Sequence, residues 1–220
     1  MNLNWEKMGN LMPAIVQDSD TLQVLMVGYM NQEALATTVE TKKVTFFSRS
    51  KNRLWQKGET SGNGLNLVSV IPDCDLDSLL ILARPEGPTC HRNTESCFGE
   101  EKAPGVGFLS KLSKIIDDRF EKQPPESYTT KLIQQGLDRM AQKVGEEGVE
   151  VVIAAKNEAK EPLKAEAADL LFHLLVLLRA RNIALSEVTD LLRSRHFSSL
   201  TFQGPDCLNS IRTTIPIDHP

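Results

Sequence analysis

"EEKAPGVGFLSKLSKIIDDRF", residues 100–120, begins with charge, passes through Pro104, Gly105 and Gly107, and then becomes helical. Its first eight residues have the composition of a linker. From Phe108 onward, Phe108, Leu109, Leu112, Ile115, Ile116 and Phe120 recur at the spacing of one helix face. The same period predicts helical segments over residues 128–157, 161–182 and 185–196, after a break at "KQPPES". Upstream the pattern is different. Residues 23–30, 43–48, 65–71 and 78–83 are short, β-branched or apolar runs bounded by polar connections, the mark of strands. Asn31 is a predicted N-cap for a helix between the first two strands. The expected architecture is therefore two domains, a β-rich α+β domain over residues 1–105 and an all-α helical domain over 106–196. Residues 197–220 have no helical period and are expected to form a flexible tail.

The chain has 220 residues, a net charge of −4 and no dense Lys/Arg block, which argues against nucleic acid as a partner. The longest apolar run, residues 170–178, contains His173 and is too short to span a membrane. The opening "MNLNWEKMGN" lacks an apolar stretch, so a cytoplasmic location is expected. There, Cys74, Cys90, Cys97 and Cys207 are read as metal ligands or unliganded thiols rather than disulfides.

Cys74, Cys90 and Cys97 contain no CxxC pair and no obvious fourth ligand, whereas three protein ligands with one open position is how catalytic zinc is held. His91, beside Cys90, is open to two readings, ligand or proton shuttle. In "IPDCDLD", residues 71–77, three aspartates alternate with other residues. The calcium-loop pattern fails, because its required glycine is Ser78 and its bidentate glutamate is Arg84. If the stretch is extended, Asp73, Asp75 and Asp77 share one side and Cys74 faces the other. Three carboxylates so placed suit a hard ion such as Mg²⁺, the alternative being a solvated turn.

"FFSRSKNRLWQKGETSGN" (46–63), "DCDLD" (73–77) and "GPTCHRNTESCF" (87–98) together resemble the phosphoribosyl-AMP cyclohydrolase family of histidine biosynthesis. The resemblance runs from Trp5 to Phe98. It implies an obligate homodimer in which Zn²⁺ is held by Cys74 of one subunit with Cys90 and Cys97 of the other. It also implies Mg²⁺ at Asp73, Asp75 and Asp77, and opening of the adenine ring between N1 and C6 by zinc-bound hydroxide, with His91 moving the proton. Within the 46–63 segment, Arg49, Arg53 and Lys57 suit phosphate, and Glu59, Ser61 and Asn63 suit ribose or base.

In the helical half, "KVGEEGVEVVIAAKN" (143–157) carries Glu146, Glu147 and Glu150, and "EAADLLFH" (166–173) carries Glu166 and Asp169. Carboxylates at such spacings are helix neighbours and repel one another, unless a divalent cation joins them. Gly145 and Gly148 cost helix stability, which suggests close approach of a backbone or ligand. His173 reads as a core or supporting histidine. The pattern EExxE followed by ExxD resembles the all-α, MazG-like nucleotide pyrophosphohydrolases, and the fuller text resembles their phosphoribosyl-ATP pyrophosphatase family over residues 108–196. That resemblance implies attack of water on the α–β phosphoanhydride, assisted by Mg²⁺, in a helical bundle completed by dimerisation. Glu146, Glu147, Glu150, Glu166 and Asp169 carry over as metal ligands or, for one of Glu147 and Glu150, the base. Lys143 and Lys156 suit phosphate. The two implied reactions are consecutive, phosphoribosyl-ATP giving phosphoribosyl-AMP and then the ring-opened product.

Overall fold

The computed structural model describes residues 3–99, 103, 105–156 and 159–197, so the expected tail lies outside the described residues except for Phe197. The first region contains β1 (Met12–Asp18), β2 (Val24–Met30), α1 (Gln32–Thr41), β3 (Thr45–Ser48), β4 (Arg53–Gln56), β5 (Leu65–Pro72) and β6 (Leu79–Pro85). The second contains α2 (Gly107–Lys122), α3 (Tyr128–Gln134), α4 (Leu137–Ala154), α5 (Lys160–Ala180) and α6 (Leu185–Phe197). A sheet-containing N-terminal region followed by a helical region matches the expected two-domain class.

Four strands form one sheet in the order β2-β1-β6-β5, with β1 and β6 parallel and the other neighbours antiparallel. Central strand β1 is absent from the sequence expectations. Its Met12, Ala14 and Val16 alternate into the core at full burial, but Pro13 interrupts the apolar run and masks a strand beginning. β4 is a second unexpected strand, pairing with β3 as a separate hairpin. The hairpin is joined to the sheet by Val44 N–H donating to the Leu65 carbonyl (2.9 Å) and Leu67 N–H donating to the Lys42 carbonyl (2.8 Å). Asn31 caps α1 as expected, its side chain accepting from Ala34 N–H at 2.8 Å.

The hairpin's placement depends on one glycine. A Cβ on Gly28 would meet the Phe46 ring at 2.4 Å, so only glycine in β2 lets Phe46 pack onto the sheet. Phe46 in turn stacks on Trp55 at 5.6 Å between ring centroids, which sets Trp55 in the wall of the cavity described below.

In the helical region α4 packs along α5, with Ile116, Leu132, Met140, Leu175 and Val176 forming the core. The single segment expected over 128–157 is two helices. Gly136, at φ +87°, breaks it, because that left-handed backbone cannot continue a right-handed helix. Among the described residues no helix is long and apolar enough to cross a membrane.

Candidate functional site

Among the described residues three clusters of chemically capable side chains stand out, two in the first region and one in the second. The first is a cavity of about 480 Å³ lined by Met26, Trp55, Lys57, Ser61, Asn63, Cys90, His91 and Cys97, among others. That volume falls within the range of small-molecule sites. Its two cysteines sit on a loop pinned to β2. Cys97 N–H donates to the Leu25 carbonyl (2.8 Å), and the Ser96 hydroxyl donates to the Val24 carbonyl (2.8 Å). A tight turn closes around Cys90, whose N–H donates to the Thr94 carbonyl (3.0 Å) while its carbonyl accepts from Asn93 N–H (3.0 Å). The Arg92 backbone N–H and the Thr94 hydroxyl lower the Cys90 thiol below the ordinary cysteine value. Partial burial, then the neighbouring Cys90, raises Cys97. His91 Nδ1 lies 3.9 Å from Cys90 Sγ.

Lys57 is the cation of this cavity. It is buried, and desolvation lowers its pKa against the opposing pull of Cys97 and Cys90. The other two expected phosphate-binding cations are engaged elsewhere. Arg53 pairs with Glu59 (2.6 Å), and the Arg49 guanidinium lies 3.9 Å above the Tyr29 ring centre. The structure therefore brings Lys57, Ser61 and Asn63 to the cysteines and leaves Arg49, Arg53 and Glu59 outside the lining.

The aspartates form the second cluster, through a geometry different from the expected one. "DCDLD" is a turn between β5 and β6, with Leu76 at φ +63°, so strand alternation does not arrange it. Asp73 organises the turn. Its Oδ1 accepts from the Asp77 and Ser78 N–H groups (2.9 and 3.1 Å), and its Oδ2 accepts from the Ser78 hydroxyl (2.6 Å). The Ser78 hydroxyl, followed by those backbone donors, holds the Asp73 carboxyl far below the usual carboxylate range. One oxygen from each of Asp73, Asp75 and Asp77 lies within 4.8 Å of the others. The ammonium of Lys7, 2.6 Å from Asp75 Oδ2 and also against Asp77, reaches in from 68 residues away. Both contacts raise the Lys7 pKa well above the ordinary lysine value, Asp75 contributing most. Cys74 is exposed on the same turn and does not line the cavity.

The third cluster joins α4 to α5. Single oxygens of Glu147, Glu150 and Glu166 lie within 4.8 Å of one another. Glu147 is only 4% exposed. Lys143 Nζ lies 2.5 Å from its carboxylate and His173 Nε2 3.7 Å. Lys143 holds the Glu147 carboxyl below the usual range, while the charge of Glu147 pushes Glu150 upward. His173 packs edge-on against Tyr128 and Phe172 at centroid distances of 5.8 and 5.2 Å, and burial lowers its pKa.

Of the other expected acidic ligands, Glu146 turns to Arg139 (3.0 Å), Lys143 (3.0 Å) and Gln142 (2.8 Å), and Asp169 lies outside the three-carboxylate group. Lys156 is exposed just beyond α4. A Cβ on Gly145 or Gly148 would meet nothing within 4 Å, so the close approach expected from these glycines does not occur within one chain.

Sequence reasoning missed Lys7, Trp55 and the Lys143–Glu147 contact. Only the last had a local signal, the i,i+4 spacing of opposite charges.

Comparison with known proteins gives two family matches in chain order. Residues 26–99 match the phosphoribosyl-AMP cyclohydrolase family, and residues 109–196 match the phosphoribosyl-ATP pyrophosphohydrolase family. Similar relatives, matched over most of their length, are named as bifunctional proteins of histidine biosynthesis. The histidine biosynthesis bifunctional protein HisIE of Xanthomonas axonopodis pv. citri is 55% identical over 194 residues, covering 88% of this chain and 93% of the relative. That of Escherichia coli (strain K12) is 54% identical over 194 residues, covering 88% and 95%. That of Bacteroides thetaiotaomicron is 52% identical over 199 residues, covering 90% and 98%.

Proposed function

Because this chain belongs to the family of bifunctional histidine-biosynthesis enzymes, with phosphoribosyl-ATP pyrophosphohydrolase and phosphoribosyl-AMP cyclohydrolase activities, we propose that its clusters divide the two reactions. The carboxylates of α4 and α5 release pyrophosphate, and the cysteine cavity opens the adenine ring. On this reading domain boundaries fall near residues 105 and 196, and the enzyme works in the cytoplasm. The observation that carries the assignment is the convergence of Cys90, His91, Cys97 and Lys57 on one cavity, apart from the carboxylates of α4 and α5.

In the helical domain, the donor set of Glu147, Glu150 and Glu166 is all oxygen and fits Mg²⁺. The bound ion supplies charge neutralisation for the phosphate oxygens. Glu147, buried and braced by Lys143, is suited to hold that ion in a fixed place. Glu150, exposed and less acidic, accepts the proton of the attacking water as the α–β phosphoanhydride opens and pyrophosphate leaves. Of the two lysines expected at phosphate, Lys143 is paired with Glu146 and Glu147, and Lys156 is exposed just beyond α4.

In the first domain, thiolate donors fit Zn²⁺, and zinc lowers the pKa of its bound water to about 7. Cys90 and Cys97 supply two ligands from one chain. The third, Cys74, is exposed and outside the cavity, which supports its donation to the site of a second copy in a homodimer. His91 carries a proton from the attacking water to N1 as the N1–C6 bond breaks. Lys57, Ser61 and Asn63 hold the rest of phosphoribosyl-AMP.

Subunit mixing tests this arrangement. Cys74→Ala and Cys90→Ala homodimers should each lack ring opening. Random exchange makes half of the dimers mixed, and each mixed dimer has one intact site. Recovery of about a quarter of wild-type activity is therefore expected. No recovery after demonstrated exchange would place all three cysteines in one chain.

The Asp73, Asp75 and Asp77 oxygens suit Mg²⁺, and the Lys7 ammonium already stands among them as a cation. Lys7→Met should raise affinity for a divalent probe, Mn²⁺ followed by its paramagnetic resonance, by about fivefold. Unchanged or weaker binding would show that Lys7 does not compete for the position.

A further inference from the structure

We propose that helix α2 of the pyrophosphohydrolase domain positions the cysteine loop of the cyclohydrolase domain, through the ion pair of Lys111 with Glu95. This rests on the reading that Cys90 and Cys97 hold the zinc. Glu95 lies two residues before Cys97, on a loop with little regular structure of its own, and Lys111 lies on the first turns of α2. Their side chains are in direct contact and about three-quarters buried. The loop is thus gripped from two sides, by β2 through Ser96 and Cys97 and by α2 through Glu95.

Three further contacts keep α2 from drifting. Lys114 Nζ lies 2.9 Å from Asp20 and 3.7 Å from the nearly buried Asp18. The Ala103 N–H donates to Gln23 Oε1 at 3.1 Å. A Cβ on Gly107 would come within 2.3 Å of the Thr21 carbonyl, so the helix begins directly against the β1–β2 turn. The seam encloses a cavity of about 260 Å³ lined by Asp18, Leu25, Glu95, Lys111 and Lys114, among others. Leu25 joins the two ends of the coupling, since it lines the seam and its carbonyl accepts the Cys97 N–H. With Lys111 removed, Glu95 would keep its charge in a half-desolvated seam that also holds Asp18. The least costly response is for its loop to swing toward water, carrying Cys97 with it.

The test uses full-length protein. It follows zinc affinity by chelator competition, ring-opening kcat and KM with supplied phosphoribosyl-AMP, and pyrophosphate release. Lys111→Met should weaken zinc binding and lower ring-opening kcat by about fivefold each, the upper range for a partly exposed ion pair. Pyrophosphate release should not change. Lys111→Glu should be worse, and Lys111→Glu combined with Glu95→Lys should restore both readouts. Wild-type zinc affinity and ring opening in Lys111→Met would overturn the coupling, as would a folded charge-swap protein with no restoration. Cys97→Ala is the control. If it keeps zinc and ring opening, the zinc reading fails; if it loses both while Lys111→Met loses neither, only the coupling fails.

Discussion

Replacing Cys90 with alanine should abolish opening of the adenine ring while leaving pyrophosphate release from phosphoribosyl-ATP at its wild-type rate. The cavity holds two thiols of one chain, and Cys90 is the one whose surroundings favour thiolate, through the Arg92 N–H and the Thr94 hydroxyl. On the proposed zinc reading, its removal would delete a ligand and leave His91 beside a site without an activated water. Metal activation of water is worth several kcal/mol, so a loss of at least about 10³-fold in ring-opening kcat is expected. The structural cost should be small, because Cys90 lies on a loop tied to β2 by Ser96 and Cys97 rather than in the main core. Phosphoribosyl-AMP should accumulate, with one pyrophosphate released per substrate. Ring opening at a normal rate by a zinc-free Cys90→Ala protein would remove zinc from the mechanism.

The reciprocal variant is Glu147→Gln. Glutamine keeps the shape of a side chain that is almost fully buried and lets Lys143 retain its contact with Glu146. It removes the charge at the centre of the group formed with Glu150 and Glu166. Pyrophosphate release should fall by about 10²–10³-fold, the scale of losing a group that fixes charge or proton transfer at the reacting centre. Ring opening of supplied phosphoribosyl-AMP should be unchanged. Mg²⁺ affinity, measured by calorimetry, should drop in parallel. A variant that binds Mg²⁺ normally yet is inactive would move Glu147 from metal ligand to base.

Elements with a strong local period were legible in the chain, and those fixed by distant contacts were not. The runs at 65–71 and 78–83 appear as strands close to those bounds, and Asn31 caps α1 as its position suggests. Strand β1 was hidden because Pro13 sits in its apolar alternation, although four buried side chains, Met12, Ala14, Val16 and Asp18, follow the period of two. The "DCDLD" segment shows a right grouping reached through a wrong geometry. Its aspartates converge because Asp73 accepts three hydrogen bonds and folds a turn, a feature that counting alternate residues cannot reveal.

Glu146 and Glu147 are equivalent in the pattern, yet adjacent positions on a helix point about 100° apart. Only Glu147 faces α5; Glu146 meets cations on its own helix. Lys7 carried no signal, because nothing local relates residue 7 to a turn 68 residues away. Cys74 is the remaining case. Its separation from Cys90 and Cys97 follows from the fold of one chain, and the pairing across two chains proposed above is what subunit mixing tests.

The most direct test of the division of labour is one time course on phosphoribosyl-ATP, with the protein first stripped of zinc and supplied with Mg²⁺ alone. Pyrophosphate and phosphoribosyl-AMP should appear together and stop there. Adding Zn²⁺ should then convert the accumulated phosphoribosyl-AMP to its ring-opened product without further pyrophosphate. Ring-opened product before zinc is added would contradict the zinc requirement of the cysteine cavity, and no pyrophosphate until zinc is added would contradict the assignment of the two reactions to separate sites.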